Sequence, residues 1–408
     1  MKVCIIGGGA AGLVAAIQAA GDGYEVTILE HMDRVGKKIL STGNGKCNLT
    51  NVDQGAEHYH GTHPDFAVRV FEQCKYSTTL RFFTDLGIYT KNRNGGLYPY
   101  SEQASAVLDV LRMEIAELGV RVFCNIEVEK IEHKDLFYVH TVRTDKEKKR
   151  DVYQFDRVIL ATGGKAAKMT GSDGSGYRLA AELGHRIIEP LPALVQLRSS
   201  QQFFKSIAGI RCEAGLSLYV DDVYICAERG ELQLTDYGIS GIPVFQLSGC
   251  AARALYEKKM VKVQIDFMPD MPAVGDLKEF LAHRVATTPN KLLSELLIGM
   301  FHKNLCMLFI KTCGLKSTRK SSELTIEEVS TLARCIKQFD VSISKTNSFE
   351  QAQTCSGGVD TAELKDTLES KIVPGLFFAG EMIDINGDCG GYNLQWAWST
   401  GMLAAMHL

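Results

Sequence analysis

A chain of 408 residues, 45% hydrophobic and 23% charged, has room for two or three domains and a sizeable core. Its formal net charge of −3 gives no overall pull toward nucleic acid or an anionic membrane. No apolar stretch reaches the length of a membrane span, and the fold is expected to begin at Lys2 without room for a targeting peptide, so the expected location is cytoplasmic. The 12 cysteines are scattered with no C-x-x-C, which reads as free thiols in a reducing compartment.

Val3-Cys4-Ile5-Ile6 predicts a buried strand that runs into Gly7-Gly8-Gly9-Ala10-Ala11-Gly12, a G-x-G-x-x-G. Leu13 to Ala20 has helical apolar spacing and stops at Gly21-Asp22-Gly23; a second strand, Glu25 to Leu29, ends at Glu30. Strand, glycine turn, helix, strand and acid in this order form the βαβ unit that binds the ADP half of a dinucleotide. Gly7 is assigned the tight turn, Gly9 the close approach of the pyrophosphate, and Gly12 the close packing of helix on sheet. The helix start, with Ala10 and Ala11, presents free N–H groups to the phosphates, and Glu30 is placed to hold ribose hydroxyls.

His58-x-His60-x-x-His63 follows in a polar loop. It lacks Cys or acid partners at ligand spacing apart from Glu57 and Asp65, so no metal site is expected. Thr78 to Leu86 and Gln103 to Leu118 have helical patterns, and Val120 to Phe123 is a strand after the Gly119 turn. Ile126 to Ile131, Phe137 to Arg143 and Val152 to Phe155 read as a β meander around the charged turn Asp145 to Arg150. Arg157 to Leu160 is apolar and enters Ala161-Thr162-Gly163-Gly164; Gly171-x-x-Gly174-x-Gly176 then precedes a helix, Tyr177 to Leu183.

Pro190-Leu191-Pro192 interrupts this α/β pattern. Leu216 to Val220, Tyr224 to Ala227, Gly230 to Thr235 and Val261 to Phe267 are short and strand-like, with turns at Asp221-Asp222 and Arg229-Gly230. Ser248 to Glu257 between them is helical in pattern. Four helices are predicted at Leu277 to Arg284, Lys291 to Ile298, Leu305 to Cys313 and Ile326 to Ile336, the last capped by Thr325. Phe339 to Ser344 returns as a strand.

Pro374 to Glu381 predicts a buried strand breaking at Gly380. Asp384 and the glycines Gly387, Gly390 and Gly391 lead into a final helix opened by Tyr392-Asn393-Leu394-Gln395. A strand, an acid and a glycine-led helix start suit a flavin. The acid could bind the ribityl chain, and the helix N-terminus could face the N1–C2=O edge, which becomes anionic on reduction. The fold class is α/β: a Rossmann-like FAD-binding domain, 1–190 and 355–408, with an inserted β-rich domain, 191–270 and 338–354, that carries a helical subdomain, 271–337. Substrates usually bind in clefts between such domains.

Several segments resemble the BaiN/YhiN-like family of FAD-dependent oxidoreductases, and together they span the chain. They are Gly7 to Gly12, Gly36 to Asn51, Ala161 to Gly164, Thr235 to Pro243, Cys355-Ser356-Gly357-Gly358-Val359, and Phe378 to Gln395. The chain departs from the family pattern at Asp236, where His is frequent, and at Lys46, where Arg is common. The resemblance implies FAD contacts at Gly7, Gly9, Ala10, Ala11, Gly12, Glu30, Lys38, Gly45, Asn48, Thr162, Gly163, Gly380, Glu381, Asp384, Gly391, Asn393 and Leu394. It also implies an adenine contact through the backbone near Val128. Similarity to fumarate-reductase-like flavoproteins suggests that the helix start near Gly176 lies by the flavin.

A flavin reductase of a polarised C=C bond needs hydride delivery to the β-carbon, donors to the carbonyl oxygen, and an acid for the α-carbon. Tyr237, Tyr392 and Cys355 are the candidate acids, with Tyr98 behind them; Arg81, Arg93 and Lys46 could hold an anion. The resemblance implies reduction of an enone, a 3-oxo-Δ4 or Δ4,6 bile-acid or steroid intermediate. NAD(P)H is the expected electron source. No second dinucleotide fingerprint is present, so that donor would bind transiently. The expected partner is a small hydrophobic enone, without nucleic acid or membrane. The alternatives are an RNA-modifying flavoprotein and an electron-transfer flavoprotein working with a protein partner.

Overall fold

The computed structural model describes residues 1–145 and 148–408, so Lys146 and Glu147 of the predicted charged turn lie outside the described residues. The chain divides into two compact units, Met1–Leu191 with Ala352–Leu408, and Pro192–Gln351.

The first unit is built on a five-stranded parallel sheet in the order Leu376–Phe378, Arg157–Leu160, Lys2–Ile6, Glu25–Leu29, Arg121–Phe123. Cys4 sits opposite Val158 on one side and Thr27 on the other. The chain leaves the central strand toward one edge and later returns to its other side. The topological switch point of an open α/β sheet therefore lies at Gly7, where ligands of such folds bind. The helix Ala10–Gly21 buries an almost continuous apolar surface, including Leu13, Val14, Ala15 and Ala16. The last helix, Tyr392–Met406, packs beside it so closely that a Cβ on Gly401 would run into the Ala11 carbonyl. The predicted meander is a three-stranded antiparallel sheet, Ile126–His133, Phe137–Arg143 and Arg150–Phe155.

The second unit is a seven-stranded antiparallel sheet whose buried residues alternate along each long strand, as one-sided burial requires. Ala214, Leu216 and Leu218 share one apolar cluster with Val263, Val341, Leu281, Phe309 and Leu332, so the helices and the sheet use a common core.

Several element boundaries differ from expectation. Tyr224 to Ala227 and Gly230 to Thr235 are one strand, Val223–Leu234; the supposed turn at Arg229-Gly230 stays in the ladder, with Arg229 opposite Gly215 and Gly230 opposite Ala214. The helix expected from Ser248 starts at Ile242, with Pro243 in its first turn, where its missing N–H costs nothing. Only Leu293–Leu296 of the stretch 291–298 is α-helical. Thr325 caps the helix Ile326–Lys337 as expected, in a capping box closed by Glu328.

Candidate active site

The glycine fingerprint folds as a phosphate cradle. Gly7 has φ +101°, and a Cβ there would meet the Ala161 carbonyl oxygen at 2.5 Å, so only glycine fits. A Cβ on Gly12 would strike the Gly7 carbonyl, which is why helix and turn can lie so close. Gly9 is different, because nothing lies within 4 Å of its would-be Cβ. That open space adjoins the first-turn amides of Ala10 and Ala11, which precede the first intrahelical bond, Leu13 N–H to Gly9 O. A pyrophosphate fits there.

Glu30 is 7% exposed. The Gly8 N–H donates to its Oε2 at 2.8 Å and the Met32 N–H to its Oε1 at 2.8 Å. Each carboxylate oxygen keeps a lone pair for a ribose hydroxyl. The Ile126 N–H donates to the Glu30 carbonyl, tying the strand that carries Val128 to this corner.

A second cluster gathers residues from distant segments. Lys38 Nζ pairs with Glu381 Oε2 at 2.7 Å. Thr354 Oγ1 and the Cys355 N–H donate to the other Glu381 oxygen, each at 3.0 Å. Thr162 and Gly163 lie at the end of the strand Arg157–Leu160, and a Cβ on Gly163 would meet Ser172 Oγ at 2.9 Å. Gly380, after the neighbouring strand, donates its N–H to Thr400 Oγ1, and its carbonyl accepts from Trp396 Nε1. The Cys355 thiol is buried, accepts the Lys165 N–H at 3.1 Å, and is pushed up to about 12 by burial first and by Glu381 second. It is a protonated thiol at neutral pH, which argues against thiolate chemistry. Tyr177, read from sequence only as a helix start, is 7% exposed. Its hydroxyl has no hydrogen-bond partner among the described residues, and its ionisation is pushed far up by burial, then by Cys355 and Glu381. A Cβ on Gly164 would meet Glu381 Oε1 at 2.9 Å and Tyr177 Oη at 3.1 Å, which places these two groups side by side.

The third cluster surrounds the start of the last helix. Its first intrahelical bond is Gln395 N–H to Gly391 O, so the amides of Tyr392, Asn393 and Leu394 precede the helical ladder. Gly391 has φ +101°, and a Cβ there would meet the Thr50 backbone at 2.8 Å and Asn48 Oδ1 at 3.0 Å. Asn48 Oδ1 is itself buried without a partner among the described residues. The Asn393 side chain closes its own loop, accepting the Gly387 N–H at 2.8 Å and donating to Gly387 O at 2.7 Å. Asp384 is 1% exposed and accepts the Thr62 N–H at 2.9 Å. Gly45, with φ +81°, is the last residue of a kinked turn over Ile39–Gly45. The open cradle, the ribose-ready acid, the free helix-start amides and the orphaned Asn48 oxygen all fit a bound flavin dinucleotide.

The histidine motif finds acids that lie far away in sequence. His58 Nδ1 and His60 Nε2 lie 3.0 and 2.7 Å from the two oxygens of Asp388, and His63 lies 3.9 Å from Asp360. Burial alone would lower His58, but its bonds to Asp388 and Asp53 raise it overall. Asp53, Glu57 and His58 stand close together, with both acids exposed. Tyr392 stacks on His58 with ring centroids 4.3 Å apart, and burial raises its phenol to about 12. Of the expected anion-holders, Arg93 and Lys46 both pair with Glu102. Tyr98 has its phenol raised by burial and then by Cys389.

Tyr237 belongs to the second unit. The Thr235 N–H donates to Gly238 O at 2.9 Å, closing the turn that carries it. Its ring lies under the Arg198 guanidinium, 4.4 Å from centroid to carbon. Asn347 Nδ2 lies 3.3 Å from its hydroxyl. Arg198 ends the short strand Leu197–Arg198 and Asn347 follows the short strand Lys345–Thr346, and neither position carries a local sequence signal of its contact with Tyr237. Asp236, the family departure, is exposed.

Residues 1–407 match the HI0933-like protein Rossmann domain. The chain belongs to this family. It is 45% identical over 406 residues to the 3-dehydro-bile acid delta(4,6)-reductase of Clostridium scindens, covering 99% of this chain and 98% of that one. It is 29% identical to the ribosomal RNA dihydrouridine synthase of Haemophilus influenzae, covering 99% and 97%. Among solved structures, the 3-ketosteroid-delta4-(5alpha)-dehydrogenase of Rhodococcus jostii aligns at 14% identity with a TM-score of 0.46, over 99% of this chain and 97% of that one. The first unit is a Rossmann-like FAD-binding domain, and the chain is a flavoprotein oxidoreductase. No helix among the described residues is long and apolar enough to cross a membrane.

Proposed function

We propose that this chain reduces a C=C bond conjugated to a carbonyl in a steroid-like substrate, a 3-oxo-Δ4 or Δ4,6 bile-acid intermediate, with NAD(P)H as electron source. The end-to-end match at 45% identity to a reductase of that substrate class carries this reading. Bound FAD supplies the hydride from its N5. The residues of the chain do the rest. Glu30 holds the ribose, and the amides of Ala10 and Ala11 hold the pyrophosphate. The amides of Tyr392, Asn393 and Leu394 offer positive dipole ends to the edge of the ring that gains charge. Asp384 is assigned to the ribityl chain. Tyr237 is the proposed proton donor to the α-carbon. Cys355 and Tyr392 are weaker candidates, because burial raises both to about 12, which makes them poorer proton donors, and Tyr392 is also stacked on His58.

A second reading is reduction of uracil in RNA, supported by the 29% match to a ribosomal RNA dihydrouridine synthase. The chemistry is related, since the C5=C6 bond of uracil is also conjugated to a carbonyl. The higher identity and the absence of a net basic charge favour the small enone. Incubating the FAD-loaded protein with NADH or NADPH and a 3-oxo-4,6-diene bile acid tests the choice. A product two hydrogens heavier by mass spectrometry is expected; unchanged diene with either donor would sink the proposal.

A further inference from the structure

Three strands of the second unit bring four polar side chains together. The strand Leu197–Arg198 is flanked on one side by Gly238–Ser240, which follows Tyr237, and on the other by Lys345–Thr346, which precedes Asn347. Backbone bonds pin all three: Ser199 N–H to Tyr237 O, and Asn347 N–H to Gln196 O, both at 2.9 Å. Asn347 is 4% exposed.

The direction of every hydrogen bond in this cluster follows from one fact. A guanidinium can only donate. Arg198 Nη1 lies 2.9 Å from Asn347 Oδ1, so that atom is the amide oxygen, and the amide orientation is settled by its neighbour. Nδ2 then faces the other way, with its two hydrogens toward Gln196 Oε1 at 3.2 Å and Tyr237 Oη at 3.3 Å. The Tyr237 oxygen is therefore an acceptor on this side. Its own hydrogen cannot point at Asn347 and must point away from the cluster. The Arg198 guanidinium, 4.4 Å over the ring, holds the phenol in place by a cation–π contact. Arg198 forms no ion pair with a carboxylate among the described residues, so its charge stays available beside the phenol.

We infer that Asn347, set by Arg198, is a positioning residue that commits the Tyr237 proton to outward donation. This rests on the proposed role of Tyr237 as proton donor. In that step the Tyr237 O–H bond breaks and a C–H bond forms from the electron pair of the substrate enolate. The phenol oxygen left behind keeps the Asn347 N–H and the Arg198 charge. Water then returns a proton to the oxygen. Without the amide N–H, Tyr237 can turn its hydrogen inward and waste it on the cluster.

Asn347→Asp tests this, because it keeps shape but replaces the donor by an acceptor. In the FAD-loaded protein it should slow substrate-driven reoxidation by roughly 10²-fold, the lower end of general acid catalysis. KM for the enone and flavin reduction by NAD(P)H should stay within about twofold. In a Tyr237→Phe background the same change should cost less than about twofold, because both act on one proton. Equal losses in the two backgrounds would overturn the positioning role while leaving Tyr237 as acid. A Tyr237→Phe protein at wild-type speed would remove the acid itself, and the inference with it. If Asn347→Asp does not fold, Arg198→Met asks the same question, since it frees the amide to flip. A loss of about tenfold confined to the Tyr237 background is then expected, and no loss there counts against it.

Discussion

Lys38 Nζ and Glu381 Oε2 meet at 2.7 Å across 343 residues of chain. Both were expected at the cofactor. They bind each other, and Glu381 also accepts from Thr354 and Cys355. The pair joins the segment after the first βαβ unit to the turn after the last sheet strand. Lys38→Met would leave a largely buried carboxylate without its cation. A loss of about 1–3 kcal/mol is expected, read as a lower melting temperature of the FAD-free protein. An unchanged melting temperature would show that the pair is only a by-product of the fold.

Glu30→Ala removes both the carboxylate proposed to hold the ribose and the acceptor for Gly8 and Met32. A charged hydrogen bond to ribose is worth roughly 1.5–3 kcal/mol, so FAD affinity should fall tenfold or more. Flavin fluorescence titration of the FAD-free protein measures this directly. Affinity equal to wild type in a folded variant would remove Glu30 from the site.

Gly391→Ala puts a Cβ against the Thr50 backbone at a φ that L residues rarely adopt. The strain is on the order of 1–3 kcal/mol. The variant should melt earlier even without flavin, because the collision is with protein. A defect seen only in the flavin spectrum would mean the backbone there is shaped for the ring instead.

His185 supplies a pH dependence. Its side chain is fully buried, with Nδ1 3.1 Å from Glu363 and Nε2 2.8 Å from Ser370 Oγ. Ser370 Oγ already accepts the N–H groups of Ile372 and Val373, so it donates to Nε2, and His185 is neutral with Nδ1–H toward Glu363. Burial lowers its basicity despite the opposing Glu363. The unfolded chain then takes up the proton first as pH falls below about 6.5, so stability present above that pH is lost on acidification. Melting temperature should drop between pH 7 and pH 5 in wild type, and the slope should be shallower in His185→Gln. Equal slopes would assign the acid sensitivity to other groups. Ser370 is no nucleophile despite this arrangement, being 1% exposed with its lone pairs occupied.

What was readable in the sequence was local. The strand at Val3, the glycines from Gly7 to Gly12 and the acid at Glu30 are signalled by period and by residue type within thirty positions. Thr325 and Glu328 likewise announce a helix start by themselves. The helix start after Gly391 was equally legible, but the use of the Asn393 side chain inside its own loop was not. Long-range partners left no local mark. Asp388 collects His58 and His60 from more than 300 residues away, and Asn347 meets Tyr237 from 110 away. Arg229-Gly230 misled because a glycine pair position that favours turns is overridden by a long hairpin ladder. The helix Asp65–Gln73 carries little sequence signal because it is short, starts without a side-chain cap and buries only Phe66, Ala67 and Val70.

The proposed function requires the reduced protein to pass its electrons to a conjugated steroid C=C bond. Photoreducing the FAD-loaded protein without oxygen or nicotinamide, then mixing it with a 3-oxo-4,6-diene bile acid in a stopped-flow instrument, tests this most directly. Rapid return of the oxidised flavin absorbance, with one product molecule per flavin, is expected. A flavin that stays reduced with the diene, yet is reoxidised by ribosomal RNA, would contradict it.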